Sequence, residues 1–337
     1  MRTLGLLFIC VALFTSPFHV AAEESHPTLP RGQVVSRPVS VMIDNISLAW
    51  PQSGFAEAAV VYEALAEGGI TRLMFIYNSD RPMPAEIGPI RSTRIYYGQW
   101  AMGYDAVHVH AGGSPEGLAL LENTTELYDI DGLKGGTWST FYRSNARYAP
   151  HNLYTSGQQI RDYLTARQVG PLKNPWIDEA GNAWPQADPE IGFNYRGDGD
   201  AALRPAGQTI NYYFIGSWNK ISWSYDPVGN RYLRTALGQV SRDANTNQQV
   251  STKNLVVIEA ASALREGDEK DRIDVGVTGS GRATMFHDGL VLDIEWRKPD
   301  ASSPMRFYYL DGVTEVALVN GATWIAVVPS LDHLAAY

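Results

Sequence analysis

The stretch from Glu63 to Arg94, EALAEGGITRLMFIYNSDRPMPAEIGPIRSTR, constrains this chain more than any other. Two apolar runs flank Gly68-Gly69, and the segment ends on two arginines, Arg91 and Arg94. A Gly-Gly pair between β-prone runs supplies the positive φ angles that a tight hairpin turn needs. With Gly68 and Gly69 as the loop residues, Glu67 pairs with Ile70, Leu65 with Arg72 and Glu63 with Met74. Paired residues share a face of a sheet, as do residues two apart on one strand. That register predicts Glu63, Glu67 and Arg72 on one face. They form either a solvated ladder of weak ion pairs or one wall of a polar pocket.

At 337 residues the chain has room for two domains with cores of their own. Hydrophobic residues at 45% and charged residues at 19% make a globular balance without a disorder signature. The formal net charge of −9 argues against nucleic acid as the partner, and any bound anion must be held by a local basic cluster. The chain begins like a secretory signal: Arg2, an apolar run from Leu4 to Phe14, then Val20-Ala21-Ala22 as a small-residue cleavage motif. The apolar run is too short to cross a bilayer. Cleavage after Ala22 predicts an exported chain, periplasmic or extracellular, with no transmembrane segment in its mature form. Cys10 is the one cysteine and lies in the removed segment, so the mature chain has no thiol for disulfides, nucleophilic catalysis or metal ligation. It follows Leu7-Phe8-Ile9 rather than the small residue that precedes a lipid-bearing cysteine.

Along the chain, residues 23–36 read as a flexible leader, and Val39 to Ile43 as a strand that ends at Asp44-Asn45. Residues 93–104 read as a helix capped by Ser92 or Thr93. Tyr104 to His110 alternates as a strand and runs into Ala111-Gly112-Gly113-Ser114-Pro115, where Ser114 caps a helix over 115–122. A strand, a Gly-Gly turn and a capped helix start present backbone N–H groups suited to an anion, although the dinucleotide fingerprint is absent. A further helix spans about 157–167. Residues 168–207 read as a linker, and from Thr209 short strands alternate with turn signals such as Asp288-Gly289 and Asn320-Gly321. The fold class predicted is α+β: a mixed α/β N-terminal domain over 37–167, then a β-rich C-terminal domain over 208–337.

The motifs EALAEGGITR, IGPIRSTR, HAGGSPEG and APHNLYTS, in this order, resemble the YerB-like family of exported bacterial proteins. The later GSGRATMFHDG and NGATWIAVVP segments resemble that family's C-terminal domain. The resemblance covers roughly residues 37–335 and implies two domains of unknown function and an envelope location. Many members are lipoproteins, a feature from which Cys10 departs. The family brings no reaction, ligand or cofactor.

Three chemistries fit the residues. His108 and His110, two apart on a strand, share a face as zinc ligands can, with His151 and Asp44, Glu63 or Glu67 to complete a site; no metal or cofactor is assigned. A hydrolase needs a base: Glu67, His110 and His151 are the candidates, while Ser114 is a poor nucleophile because a cap engages its oxygen. Glu63 and Glu67 are too far apart along one strand to act as a carboxylate pair. An anion or glycan pocket draws on the most residues. Arg72, Arg91, Arg94 and Arg143 stand at strand ends or helix starts, where guanidinium groups recognise carboxylates and phosphates. Gly112, Gly113 and Ser114 would add backbone donors, and Glu63, Asn152 and Tyr154 neutral or acidic partners. The reading that results is a cell-envelope protein binding an anionic glycan or peptidoglycan-type ligand. The alternatives are an envelope hydrolase and an assembly partner that pairs through its C-terminal sheet edge. Whether the chain is an enzyme stays open at this point.

Overall fold

The structure is a computed structural model describing residues 27–170 and 189–337, with the backbone of two short paired strands at Trp176–Ile177 and Ala183–Trp184. The signal segment expected over 1–22 lies outside the described residues, as does most of 171–188 within the expected linker.

Ten strands form one large mixed sheet. In the first half these are β1 (Val39–Asp44), β2 (Val60–Leu65), β3 (Thr71–Tyr77), β4 (Val107–His110) and β5 (Tyr128–Asp131). The sheet order is Arg306–Tyr309, Leu290–Lys298, Gly279–His287, Asn254–Glu259, Thr323–Val328, β2, β3, β1, β4, β5. Every residue of β1, β2 and Thr323–Val328 is buried, as befits strands covered on both faces, which read as continuous apolar runs. The two halves meet inside this sheet, where β2 runs parallel to Thr323–Val328 from Val60↔Thr323 to Ala64↔Val327.

A second sheet, ordered Gln239–Val240, Arg231–Ala236, Ile221–Asp226, Thr209–Tyr212, Leu334–Ala336, covers one face of the first. Trp223 and Ile210 from it pack with Val41, Phe75 and Trp324. The opposite face carries Met42, Tyr62 and Met74 and packs against Tyr96, Tyr97 and Trp100 of helix α1 (Ile95–Met102). Helix α2 (Pro115–Asn123) begins at the predicted cap Ser114 and helix α3 (Gly157–Ala166) at Ser156, whose hydroxyls accept from Gly117 N–H and Gln159 N–H.

The chain is therefore mostly β, and the mixed α/β character expected of its first half is not clear-cut. Its three described helices are short, and its strands belong to a sheet shared with the second half. The described part of the expected leader is packed: Leu29 and Val34 are fully buried, and Arg31 pairs with Glu315. Past the expected linker's undescribed part, Ile191 and Phe193 are buried and Tyr195–Arg196 pairs with Leu318–Val319.

Candidate functional site

The hairpin turn forms where the glycines predict it, but the register differs. Gly68 (φ 58°) and Gly69 (φ 72°) make the turn, and Ile70 N–H donates to the Glu67 carbonyl at 3.0 Å. Ala66 N–H reaches the Ile70 carbonyl at 2.8 Å, so Ala66 and Glu67 both oppose Ile70. That extra residue is a β-bulge. It shifts the pairs to Leu65↔Thr71, Ala64↔Arg72 and Glu63↔Leu73, and a one-residue slip exchanges the faces of every side chain.

Glu63 and Arg72 consequently part company. Glu63 is fully buried between the two sheets, where its carboxylate accepts from Arg234 Nη2 (2.9 Å), Asn45 Nδ2 (3.1 Å), Thr71 Oγ1 (3.1 Å) and Tyr212 OH (3.3 Å). On the helix face, Glu67 Oε1 accepts from Arg72 Nη2 at 2.7 Å. Its Oε2 accepts from Arg94 Nη2 at 2.5 Å and Nε at 3.1 Å. Arg72 and Arg94 also donate to the carbonyls of Ser92 (2.8 Å) and Thr93 (2.6 Å). Burial pushes the Glu67 carboxyl up, but the two guanidinium groups outweigh it and hold it below its ordinary 4.5. A carboxylate pinned in this way is a poor general base. Glu67, Arg72 and Arg94 form a clamp that ties the turn to the start of α1.

The glycine turn is also closed. Gly112 (φ 66°) donates its N–H to Asp131 Oδ1 at 2.8 Å, and its carbonyl accepts from Thr93 N–H at 2.9 Å. Ser114 N–H donates to the Thr93 carbonyl, and a Cβ on Gly113 would stand 2.9 Å from Thr93 Cγ2. The anion expected there is supplied by the chain's own Asp131. Both histidines of β4 are fully buried and engaged. His110 meets the Gly112 carbonyl (Nδ1, 2.8 Å) and Asp129 (Nε2, 2.6 Å). His108 meets Ser40 Oγ (Nδ1, 2.8 Å) and Thr93 Oγ1 (Nε2, 2.9 Å). Desolvation, with His110 beside it, lowers His108 to about 3. Neither imidazole offers a lone pair to zinc, and His110 is sealed from any substrate. Among the described residues no group of three His, Cys, Asp or Glu is placed to hold a metal ion.

One cluster of the predicted residues remains open. Strands β1, β4 and β5 are parallel, so Asp44, His110 and Asp131 mark one end of them, the end at which open α/β sheets take ligands. Asp44 is buried, yet its Oδ2 meets His151 Nδ1 at 2.7 Å, and Arg91 Nε lies 3.1 Å from the same oxygen. The second contact is an ion pair whose N–H is not aligned for a hydrogen bond. The side chains of Arg91 and His151 are 26% and 17% exposed, so the edge is wet. Among the described residues, Arg91 Nη1 and Nη2 and His151 Nε2 have no hydrogen-bond partner.

The loop that delivers His151 is held by residues on both sides. Arg143 Nη1 donates to Asn152 Oδ1 (2.7 Å), and Asn152 Nδ2 to the carbonyls of Ser144 and Arg147. Arg147 donates from Nε to Tyr154 OH (3.0 Å) and from its Nη atoms to the carbonyls of Leu48, Trp50 and Pro51. Of the predicted ligand residues, Arg143, Asn152 and Tyr154 thus shape the loop. Arg147, Asp129, Asp131 and Arg234 were not singled out from the sequence. The Asp129 and Asp131 pair, alternating before Gly132 on a strand parallel to the histidine strand, is the signal that could have found two of them.

No described helix is long and apolar enough to cross a membrane. Residues 27–170 match the family model described as "Protein of unknown function (DUF3048) N-terminal domain", and residues 208–325 match the corresponding C-terminal domain. The chain is 32% identical over 304 residues to the Bacillus subtilis protein named "Putative lipoprotein YerB", covering 88% of this chain and 82% of that one. The crystal structure of YerB from Bacillus subtilis superposes with a TM-score of 0.74 at 26% identity, covering 90% of this chain and 96% of that chain. The four ordered motifs, both domain matches and the shared fold agree: this chain belongs to the YerB-like DUF3048 family.

Proposed function

We propose that this chain is a cell-envelope binding protein that recognises an anionic glycan or peptidoglycan-type fragment through the edge formed by Arg91 and His151. The observation that carries the reading is the buried carboxylate of Asp44. It holds both side chains at a wet edge, where Arg91 Nη1 and Nη2 keep donors to spare and His151 Nε2 is left without a partner. Guanidinium groups held by their Nε present both Nη atoms to a carboxylate in a two-pronged geometry. The envelope assignment is supported by the apolar N-terminal run and by the relative named as a lipoprotein. Leu48, whose carbonyl Arg147 grips, and Tyr148, next to Arg147 in the chain, are strongly exposed and add the apolar surface on which sugar rings rest.

The test is calorimetric titration with a carboxylate-bearing muropeptide and with its amidated counterpart. Arg91→Ala should weaken binding of the acid about ten- to a hundredfold, the worth of a charge-assisted hydrogen bond, with the melting temperature unchanged. Equal affinity for acid and amide would refute it. A second reading, an envelope hydrolase, is favoured by one observation only. Asp44 fixes His151 by Nδ1 and leaves Nε2 as the proton-accepting nitrogen, as in Asp-His pairs of hydrolases. Turnover of the same muropeptide, abolished by His151→Ala, would establish it.

A further inference from the structure

A cavity lies away from Asp44, on the seam between the two halves. It measures about 360 Å³ and is bounded by Phe55 and Ala56 from the first half and by the run Gln248–Lys253 from the second. Small-molecule sites are typically about 300–1,000 Å³. A recess of about 10 Å³ adjoins it, sharing Phe55, Val250, Ser251 and Thr252 with its lining and bounded also by Trp324. Trp324 is 1% exposed, and its indole N–H has no hydrogen-bond partner among the described residues. An unpaired donor at that depth costs about 1–3 kcal/mol unless something accepts from it.

The wall offers a second pair of groups. The Val250 carbonyl accepts from Arg234 N–H at 2.9 Å while its N–H donates to the Ser241 carbonyl at 2.9 Å, and Thr252 stands opposite Tyr232. In an antiparallel ladder the residue between two hydrogen-bonded pairs points its N–H and C=O outward. That residue is Ser251, which lines the cavity. The charged lining groups are already satisfied. Arg231 pairs with Asp226 (3.2 Å) and Lys253 with Asp198 (2.8 Å), and the carboxylate of Asp243 accepts from the N–H groups of Ala56 (2.8 Å) and Asn245 (2.8 Å). With its charged groups engaged, the cavity offers a guest chiefly neutral hydrogen-bonding groups.

We infer that this cavity is a second ligand site, separate from the Arg91–His151 edge, which takes an uncharged ligand carrying a secondary amide. The Ser251 backbone would pair with the amide as another strand would, and the indole N–H of Trp324 would donate to an oxygen of the ligand. A peptide bond and an N-acetyl sugar both carry that group, and the probes separate them. N-acetylalanine methylamide and N-acetylglucosamine are each titrated into the ¹⁵N-labelled protein, following the Trp324 indole resonance, assigned by its loss in Trp324→Phe. At least one probe should shift that resonance saturably, and the one that does so identifies the source. Ser251→Pro deletes the outward N–H and leaves the Val250 and Thr252 pairing intact. It should weaken binding about fivefold, the worth of one neutral hydrogen bond. Arg91→Ala should leave this binding unchanged, which keeps the two sites experimentally distinct. The inference is overturned if neither probe moves the resonance up to its solubility limit, the recess then holding about one water. It is equally overturned if Ser251→Pro binds like the wild type.

Discussion

The ion pair between Glu63 and Arg234 should act as a lock between the two halves, and its loss should be strongly non-additive. Glu63 is fully buried and Arg234 is 2% exposed. The carboxylate accepts from Asn45 and Thr71 on the first half and from Arg234 and Tyr212 on the second. Arg234 also donates to Ser241 Oγ at 2.8 Å, and its guanidinium carbon sits 4.8 Å from the centre of the Trp324 ring. Glu63→Gln keeps shape and volume, so no cavity term enters, and what remains is a buried guanidinium without a counter-charge. Removing one partner of such a pair costs about 3–5 kcal/mol. Arg234→Met strands the carboxylate instead, though Asn45, Thr71 and Tyr212 still donate to it, so its cost should fall near the lower end, about 3 kcal/mol. The double variant Glu63→Gln/Arg234→Met leaves no uncompensated charge. It should be no less stable than the worse single variant, against roughly 6–8 kcal/mol if the two costs simply added. Urea unfolding followed by tryptophan fluorescence measures all four proteins. Because β2 and Thr323–Val328 are neighbours in one sheet, each should unfold in a single transition. Additive costs in the double variant would show that the pair does not couple the halves.

Three further outcomes are expected. Glu67→Gln should cost about 1–2 kcal/mol at neutral pH, discounted for partial exposure. Because the Glu67 carboxyl sits below 4.5 in the fold, its contribution is present above pH 4.5 and lost as acid titrates it, so wild type and variant should converge in unfolding curves below that pH. His108 is held neutral, at about 3 against an ordinary 6.5, so the unfolded chain gains the proton first and stability falls as pH drops from 6.5 toward 3. His108→Gln should flatten that part of the stability–pH profile, and an unchanged slope would contradict the assignment. Asp131→Ala strips the acceptor from the N–H groups of Gly112 and Leu133. The variant should lose about 1–3 kcal/mol and regain melting temperature in acetate more than the wild type does.

Much of the architecture was legible because it rests on local signals. Ser114 before Pro115 and Ser156 before Gly157 fix helix starts by capping chemistry that needs no tertiary information. Asp288-Gly289 separates two strands that pair as a hairpin, with φ of 53° and 73° at the turn. What local signals could not supply was the order of strands. Nothing in VVYEAL states that it lies between TRLMFIY and TWIAVV, over two hundred residues away, and the resulting shared sheet blurs the division into an α/β half and a β half. The register of the first hairpin failed for a related reason. The glycines determine where the chain turns, but a bulge at Ala66 costs little locally and is decided by what it lets Glu63 and Glu67 reach on opposite faces.

The site was legible in its residue types and not in its grouping, and charge satisfaction explains why. Arginines and acids at strand ends look alike in sequence whether they await a ligand or neutralise one another. In the fold, Arg72 and Arg94 spend their donors on Glu67 and two carbonyls, and the Gly112 turn closes on Asp131, each doing internally what a bound anion would do. Arg91 differs in geometry rather than in type. Its carboxylate partner, Asp44, is shared with His151 and touches only its Nε. One buried negative charge facing two cationic-capable groups leaves the edge short of an acceptor. That unsatisfied capacity, found by counting donors against acceptors, is what distinguishes this cluster from the two that are complete.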